Sequence, residues 1–203
     1  MVWKESGDSF EKVPLGSHVA RCIAVIDLGT RVSQFGSKRD CMIRWELPTE
    51  AMETSRDGDV FTVGAFYSQS LSEKANLRAM LKSWRGRDFT PEELQGFDPK
   101  KMIGAPCLVN IIEKKNAKGD VNHVVGAVSP VPKGLAIPPL INKTVFLSLE
   151  PDQFDASAMD QLSEKQQAMV KESPEWKALQ NGTAVQSQYV AQGTGVDDSD
   201  VPF

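Results

Sequence analysis

The sequence predicts a mainly β domain, a five-stranded Greek-key barrel with one inserted helix, followed by a helical and then disordered C-terminal extension. Three observations predict it. Five strand-like runs separated by turn signals occupy residues 19–132. One amphipathic stretch interrupts them between the third run and the fourth. After about residue 150 the strand pattern stops, and a Gln/Gly/Ser/Thr-rich stretch with too few apolar residues for a core follows.

The first strand is expected over Val19–Asp27, within "GSHVARCIAVIDLGT", before a glycine-punctuated turn containing "QFGSKRD". In "CMIRWEL", Cys41, Ile43, Trp45 and Leu47 alternate with Met42, Arg44 and Glu46, the period of a strand with one dry face. "GDVFTVGAFYSQS" supplies the third strand, "APCLVNIIEKK" the fourth and "NHVVGAVSPVP" the fifth. "KNAKGD" suits a tight reversal between the last two. The interrupting helix lies in "SLSEKANLRAMLKSWRGR", where Ser70 and Glu73 have capping-box spacing and Gly86 closes the helix. Leu77, Met80, Leu81 and Trp84 recur at helical spacing and predict its buried face. "TPEEL" signals a second short helix, capped by Thr90, with Pro91 in first position and Glu93 completing the box. Three strands, a helix and two strands are the element order of an OB-fold, a small barrel that often binds single strands or oligosaccharides.

Three regions follow: a barrel over residues 1–150, a helical extension over 151–182, and a flexible linker with an acidic tip over 183–203. The extension reads as one or two helices, the second begun by Ser173-Pro174 and stopped by Asn181-Gly182. Charge divides the same way. Residues 1–150 carry 20 Lys and Arg against 18 Asp and Glu, whereas 151–203 carry 3 against 9. The body is mildly basic and the tail acidic.

Several function classes are disfavoured. A net charge of −4 argues against coating polyanions through overall charge. Cys22, Cys41 and Cys107 are odd in number and lack metal or redox spacing, which predicts free thiols in a reducing compartment. No apolar run reaches membrane-spanning length and the start has no signal-peptide core, so a cytoplasmic protein without membrane partners is expected. His18 and His123 read as satisfied structural histidines, and "RDGD" at 56–59 as a turn. No phosphate-loop, dinucleotide, nucleophile-elbow or calcium-loop motif is present, so neither enzymatic activity nor a metal or cofactor is expected.

Single-strand binding needs cations for phosphates and flat side chains on which unstacked bases lie. Lys38 and Arg39 sit near Phe35 in the first hairpin, Arg44 lies opposite Trp45 on strand two, and Phe66 and Tyr67 close strand three. Phe35 and Tyr67, near turns, are the stacking candidates, while Trp45 and Trp84 read as core. Lys74, Arg78, Lys82 and Arg85 recur at helical spacing as a basic stripe, with Arg87 just beyond. Lys114, Lys115 and Lys118 mark the last hairpin, where OB-folds commonly grip a strand.

The final stretch "DDSDVPF" resembles the acidic tip of bacterial single-stranded DNA-binding proteins: Asp197, Asp198 and Asp200 match the acidic run, and Val201, Pro202 and Phe203 the apolar end. Ser199 interrupts the run. The linker "VQSQYVAQGTG" fits the same pattern, and residues 15–132 are loosely similar to phage-encoded replication and recombination proteins with an OB-like domain. The resemblance implies a protein that coats single-stranded DNA in replication, recombination or repair and recruits replication and repair enzymes through its tip. The alternative is an OB-fold adaptor that binds host replication proteins and holds no DNA. The sequence leaves self-assembly into a homo-oligomer open.

Overall fold

The computed structural model describes residues 11–33, 36–53 and 59–182. Its six strands are β1 (Gly16–Ser33), β2 (Gly36–Ala51), β3 (Val60–Ser68), β4 (Pro106–Lys115), β5 (Val121–Ser129) and β6 (Val145–Leu147). Hydrogen-bonded order is β3-β2-β1-β4-β5, antiparallel throughout, with β6 parallel to β1. A long first strand that pairs with the second through its later half and the fourth through its earlier half is what curls such a sheet towards closure. β3 and β5 approach each other without a ladder between them, leaving a partly open barrel. The fold is mainly β and OB-like, with β6 an addition to the five strands expected.

The helix α1 (Asn76–Arg85) packs on β3 and β5 and buries Leu77, Met80, Leu81 and Trp84, the face its spacing predicted. Gly86 closes it in the left-handed region at φ 67°. The start differs from expectation: the helix begins at Asn76 after Ala75, whose side chain cannot cap. Ser70 instead joins a local turn, its hydroxyl accepting from the Ser72 N–H at 3.3 Å. The short helix α2 (Pro91–Gln95) has the predicted box, with Thr90 and Glu93 exchanging bonds.

β1 and β2 are far longer than the predicted Val19–Asp27 and Cys41–Leu47. The stretch read as a turn is itself paired, Thr30 with Arg39 and Arg31 with Lys38, so the two strands run on as a hairpin. A register shift between Cys22 and Ala24 inserts one residue into β1 and reverses its alternation. Ala20, Cys22 and Val25 therefore face the barrel core with Ile43, Trp45, Leu47, Val63 and Val109, while Ala24, Ile26 and Leu28 face outward.

That outward face is dry as well. Val145 and Leu147 of β6 meet Ala158 and Met159 of α3 (Ala156–Asp160) and Val170 of α4 (Glu164–Lys171) to form a second core with β1. Residues 151–182 make three short helices rather than one or two, the last being α5 (Pro174–Gln180), capped by Ser173 and followed by Asn181-Gly182 as its sequence indicated. α5 is fastened to the hairpin: Glu175 accepts hydrogen bonds from the N–H and hydroxyl of Thr30. Gly29, at φ 69°, lies so close to Ser173 that a Cβ there would stand 2.3 Å from that side chain.

The histidines are structural. His18 places its ring nitrogens 3.0 Å from Glu50 and 3.0 Å from the Pro14 carbonyl, and His123 lies 2.6 Å from the Val13 carbonyl. Both hold the segment that leads into β1, and no group of three metal-ligating side chains occurs among the described residues. The cysteines are free and buried; desolvation pushes the Cys22 and Cys41 thiols up to about 12. "RDGD" falls mostly outside the described residues.

Candidate nucleic-acid interface

Strand alternation divides β3 cleanly. Phe61, Val63, Ala65 and Tyr67 point to the barrel core, and Thr62, Gly64 and Phe66 to the other face. The two aromatics at its end thus have opposite fates. Tyr67, the predicted stacking residue, packs against the core, and burial pushes its phenol up to about 12, helped by the nearby Cys41 thiol. Phe66 is 54% exposed and available as a flat apolar surface. The signal was in the sequence, because the period of "VFTVGAFYS" puts Phe66 out of phase with the core set.

Register aligns β2 beside it. Phe66 pairs with Met42, and Arg44 pairs with Gly64, so Arg44 and Phe66 are diagonal neighbours on one face. Gly64 has a packing reason: a Cβ there would stand 2.8 Å from Met42 Cε and 3.2 Å from Arg44 Cγ. Without a side chain, β3 lets both neighbours lie across it. Arg44 donates to the Thr62 hydroxyl at 3.2 Å and has no carboxylate partner among the described residues. Its partial burial pulls its pKa down, the mark of a cation held beside apolar surface without an opposing charge.

Phe66 also lines a cleft of about 1200 Å³ between the β1–β2 hairpin, the end of β3 and α5. Lys38 on the hairpin and Lys74 before α1 line it, with no ion-pair partner among the described residues. Arg31 is tied to Asp40 at 2.7 Å, and α5 contributes Ala178 and Leu179 to the opposite wall. Arg39, predicted as a phosphate contact, is held elsewhere. Asp27 and Glu150 pair with it, and Asp27 further accepts from the N–H groups of Gly29 and Leu149 and from the Gln69 amide. With its side chain only 14% exposed, Arg39 joins β6's trailing segment to the barrel and presents no free charge.

The helix stripe is also engaged in ion pairs. Asp88 accepts from Lys82 at 3.0 Å and Arg78 at 3.2 Å, while Glu93 accepts from Arg85 and from Arg87 at 2.7 Å. The Arg85 guanidinium additionally lies over the Phe89 ring at 4.4 Å. Lys82 and then Arg78 hold the Asp88 carboxyl below its ordinary range, and Arg87 and Arg85 do the same to Glu93. Two acids that follow the helix thus contact four cations and balance two of their charges, and Lys74 lies before the helix rather than on it.

Lys114, Lys115 and Lys118 stand exposed on the β4–β5 hairpin, whose turn is formed as expected by Asn116 and Asp120. Register carries this hairpin past Gly16, beyond the start of β1, whereas Lys38 lies near its end. Phe35 and the tip, Asp197 to Phe203, lie outside the described residues. No known protein-family model matches the chain, and no curated protein is similar enough to count as a relative. Among the described residues no helix is long and apolar enough to cross a membrane.

Proposed function

We propose that the chain binds single-stranded DNA across the outer face of β2 and β3 and recruits partner enzymes through Asp197–Phe203. One observation carries the first half: an exposed aromatic, Phe66, stands diagonally beside an arginine without a carboxylate partner, Arg44, at the mouth of a cleft lined by Lys38 and Lys74. A base would stack on the Phe66 ring while Arg44 and the two lysines meet phosphates. Duplex DNA keeps its bases stacked inside, so the platform favours single strands. The second half rests on the resemblance of the tip and on its chemistry, three aspartates beside Val-Pro-Phe, which suits a basic pocket with an apolar floor on another protein.

The test is a titration of labelled oligo-dT and of duplex of equal length. Phe66→Ala is expected to weaken oligo-dT binding about 5- to 150-fold, the range of one lost stacking contact. Equal affinity for duplex, or unchanged affinity in Phe66→Ala, rejects the reading.

The adaptor reading, in which the barrel holds a replication protein and no DNA, is favoured by the acids in and around the cleft. Asp40, Glu150 and Glu175 offset much of its positive charge. Absence of any salt-sensitive oligo-dT binding, together with retained capture of replication enzymes by the tip, selects it.

A further inference from the structure

The outer face of β1 is covered from Arg21 to Gly29. Ala24, Ile26 and Leu28 lie under Leu147, Met159 and Val170 of the second core, and Gly29 lies against Ser173. At the other end, the link from β5 to β6 covers what the helices leave. There Arg21 donates to the Pro138 carbonyl at 3.1 Å and to the Gly104 carbonyl at 2.8 Å. Glu46, its partner in register on β2, accepts from the N–H of Ile141 at 2.9 Å and from the N–H and side-chain amide of Asn142 at 2.8 Å. Glu46 is fully buried beneath the loop it holds. Among the described residues, then, a single strand lying on Phe66 has no open route over β1 to β4, whose outward side chains Ile112 and Lys114 are exposed.

What stays open is a band two strands wide, about 10 Å, with its long axis along β2. From Lys38 to Glu46 is eight residues, or about 26 Å at 3.3 Å per residue, room for about eight nucleotides at the stacked spacing of 3.4 Å. Both ends of the band carry lysines. Lys38 and Lys74 stand at the cleft. At the far end Ile141 is 50% exposed and Lys143 is exposed too, and residues 130–149 contain no acid. Arg44 lies between the two ends. Its neighbours on the same face of β2 are Met42, which α4 touches through Gln166 at 3.5 Å, and Glu46, which carries the loop. A loop tied down at two strands presents its side chains already placed, so a ligand gains their contacts at little ordering cost.

We infer that Ile141 and Lys143 form the far end of the binding track, so that a single strand runs lengthwise along β2, from Lys38 and Lys74 over Phe66 and Arg44 to this loop. Lys143 takes a phosphate, and Ile141 packs against a sugar or the face of a base. Glu46 and Arg21 are positioning residues that hold the loop beside Arg44. The inference rests on the proposed binding of single-stranded DNA at β2 and β3, and it adds the direction of the strand and its second end.

Oligo-dT of about 12 nucleotides, longer than the band, tests it on the full chain by titration at several salt concentrations and by methyl NMR. Lys143→Ala is expected to lower the logarithmic salt slope by about 0.7, one phosphate contact, and Lys114→Ala on β4 to leave it unchanged. Both change exposed side chains, and thermal melting checks that the fold is kept. The Ile141 methyl signals should shift on titration while those of Ile112 stay in place. A silent Lys143→Ala, an unmoved Ile141, or a response at Ile112 or Lys114 overturns the lengthwise track. If Phe66→Ala still weakens binding in that case, the site on β2 and β3 stands without this end. A parent chain that binds no oligo-dT overturns both.

Discussion

Two basic regions of this protein look alike in sequence and opposite in structure. The α1 stripe brings Arg78, Lys82, Arg85 and Arg87 to one side of the barrel, and Asp88 and Glu93 occupy all four. The β2–β3 face brings Arg44 and Phe66 together with Lys38 and Lys74 nearby, and no described carboxylate pairs with any of these cations. The stripe has more cations and the face fewer, but each stripe cation is engaged by a carboxylate and those of the face are not, among the described residues. What matters for a polyanion is the cation left over after local pairing, since a paired one must first exchange its carboxylate.

The largest expected effect tests the side of the sheet on which the platform stands. Trp45 and Trp84 meet edge to face at 6.0 Å on the inner side, and Trp45 is fully buried. Trp45→Ala should cost about 3–5 kcal/mol of stability. A variant that melts like the parent but no longer shows fluorescence quenching by oligo-dT would reverse the assignment of faces.

Next in size is the platform. Phe66→Ala should cost about 1–3 kcal/mol of oligo-dT binding with the melting temperature nearly unchanged, whereas Tyr67→Ala should lower the melting temperature first. Arg44→Ala should reduce the logarithmic salt slope by about 0.7, the contribution of one phosphate contact on a single strand. If Tyr67→Ala weakens binding without loss of stability and Phe66→Ala does nothing, the alternation argument for β3 is wrong.

The third effect is an expected silence. Lys82→Ala and Arg87→Ala together should leave both affinity and salt slope unchanged, because these cations serve Asp88 and Glu93. A slope that falls by one contact or more would show that the stripe surrenders its carboxylates to DNA and would remove the contrast between the two regions.

The smallest concerns pH. The cations hold the Asp88 and Glu93 carboxyls below the ordinary range, so their pairing adds stability that is present above about pH 4, the unfolded range. It is lost as pH falls through their lower folded values. Side-chain carboxyl NMR should therefore find both still ionised near pH 3. Ordinary midpoints there would mean that the stripe is unpaired in solution and open to phosphates.

Local pattern determined much of this molecule. The period of "CMIRWEL" named its core residues, the spacing in α1 named its buried face, and Gly86, Thr90 with Glu93 and Ser173-Pro174 marked true helix ends. These depend on neighbours within a turn or a strand, where side-chain direction follows from backbone geometry alone. The second core could have been suspected from the nearly unbroken apolar run of "CIAVIDL", which a strand dry on only one face does not need. Pairing over distance was a different matter. That Arg39 belongs to Asp27 and Glu150, that Glu46 belongs to a loop 95 residues away at Ile141, and that α5 seats on Gly29 are set by which surfaces meet when the chain closes. A charged side chain in sequence carries no mark of its partner. Burial and contact decide whether it is free to act, and both come into being only with the tertiary fold.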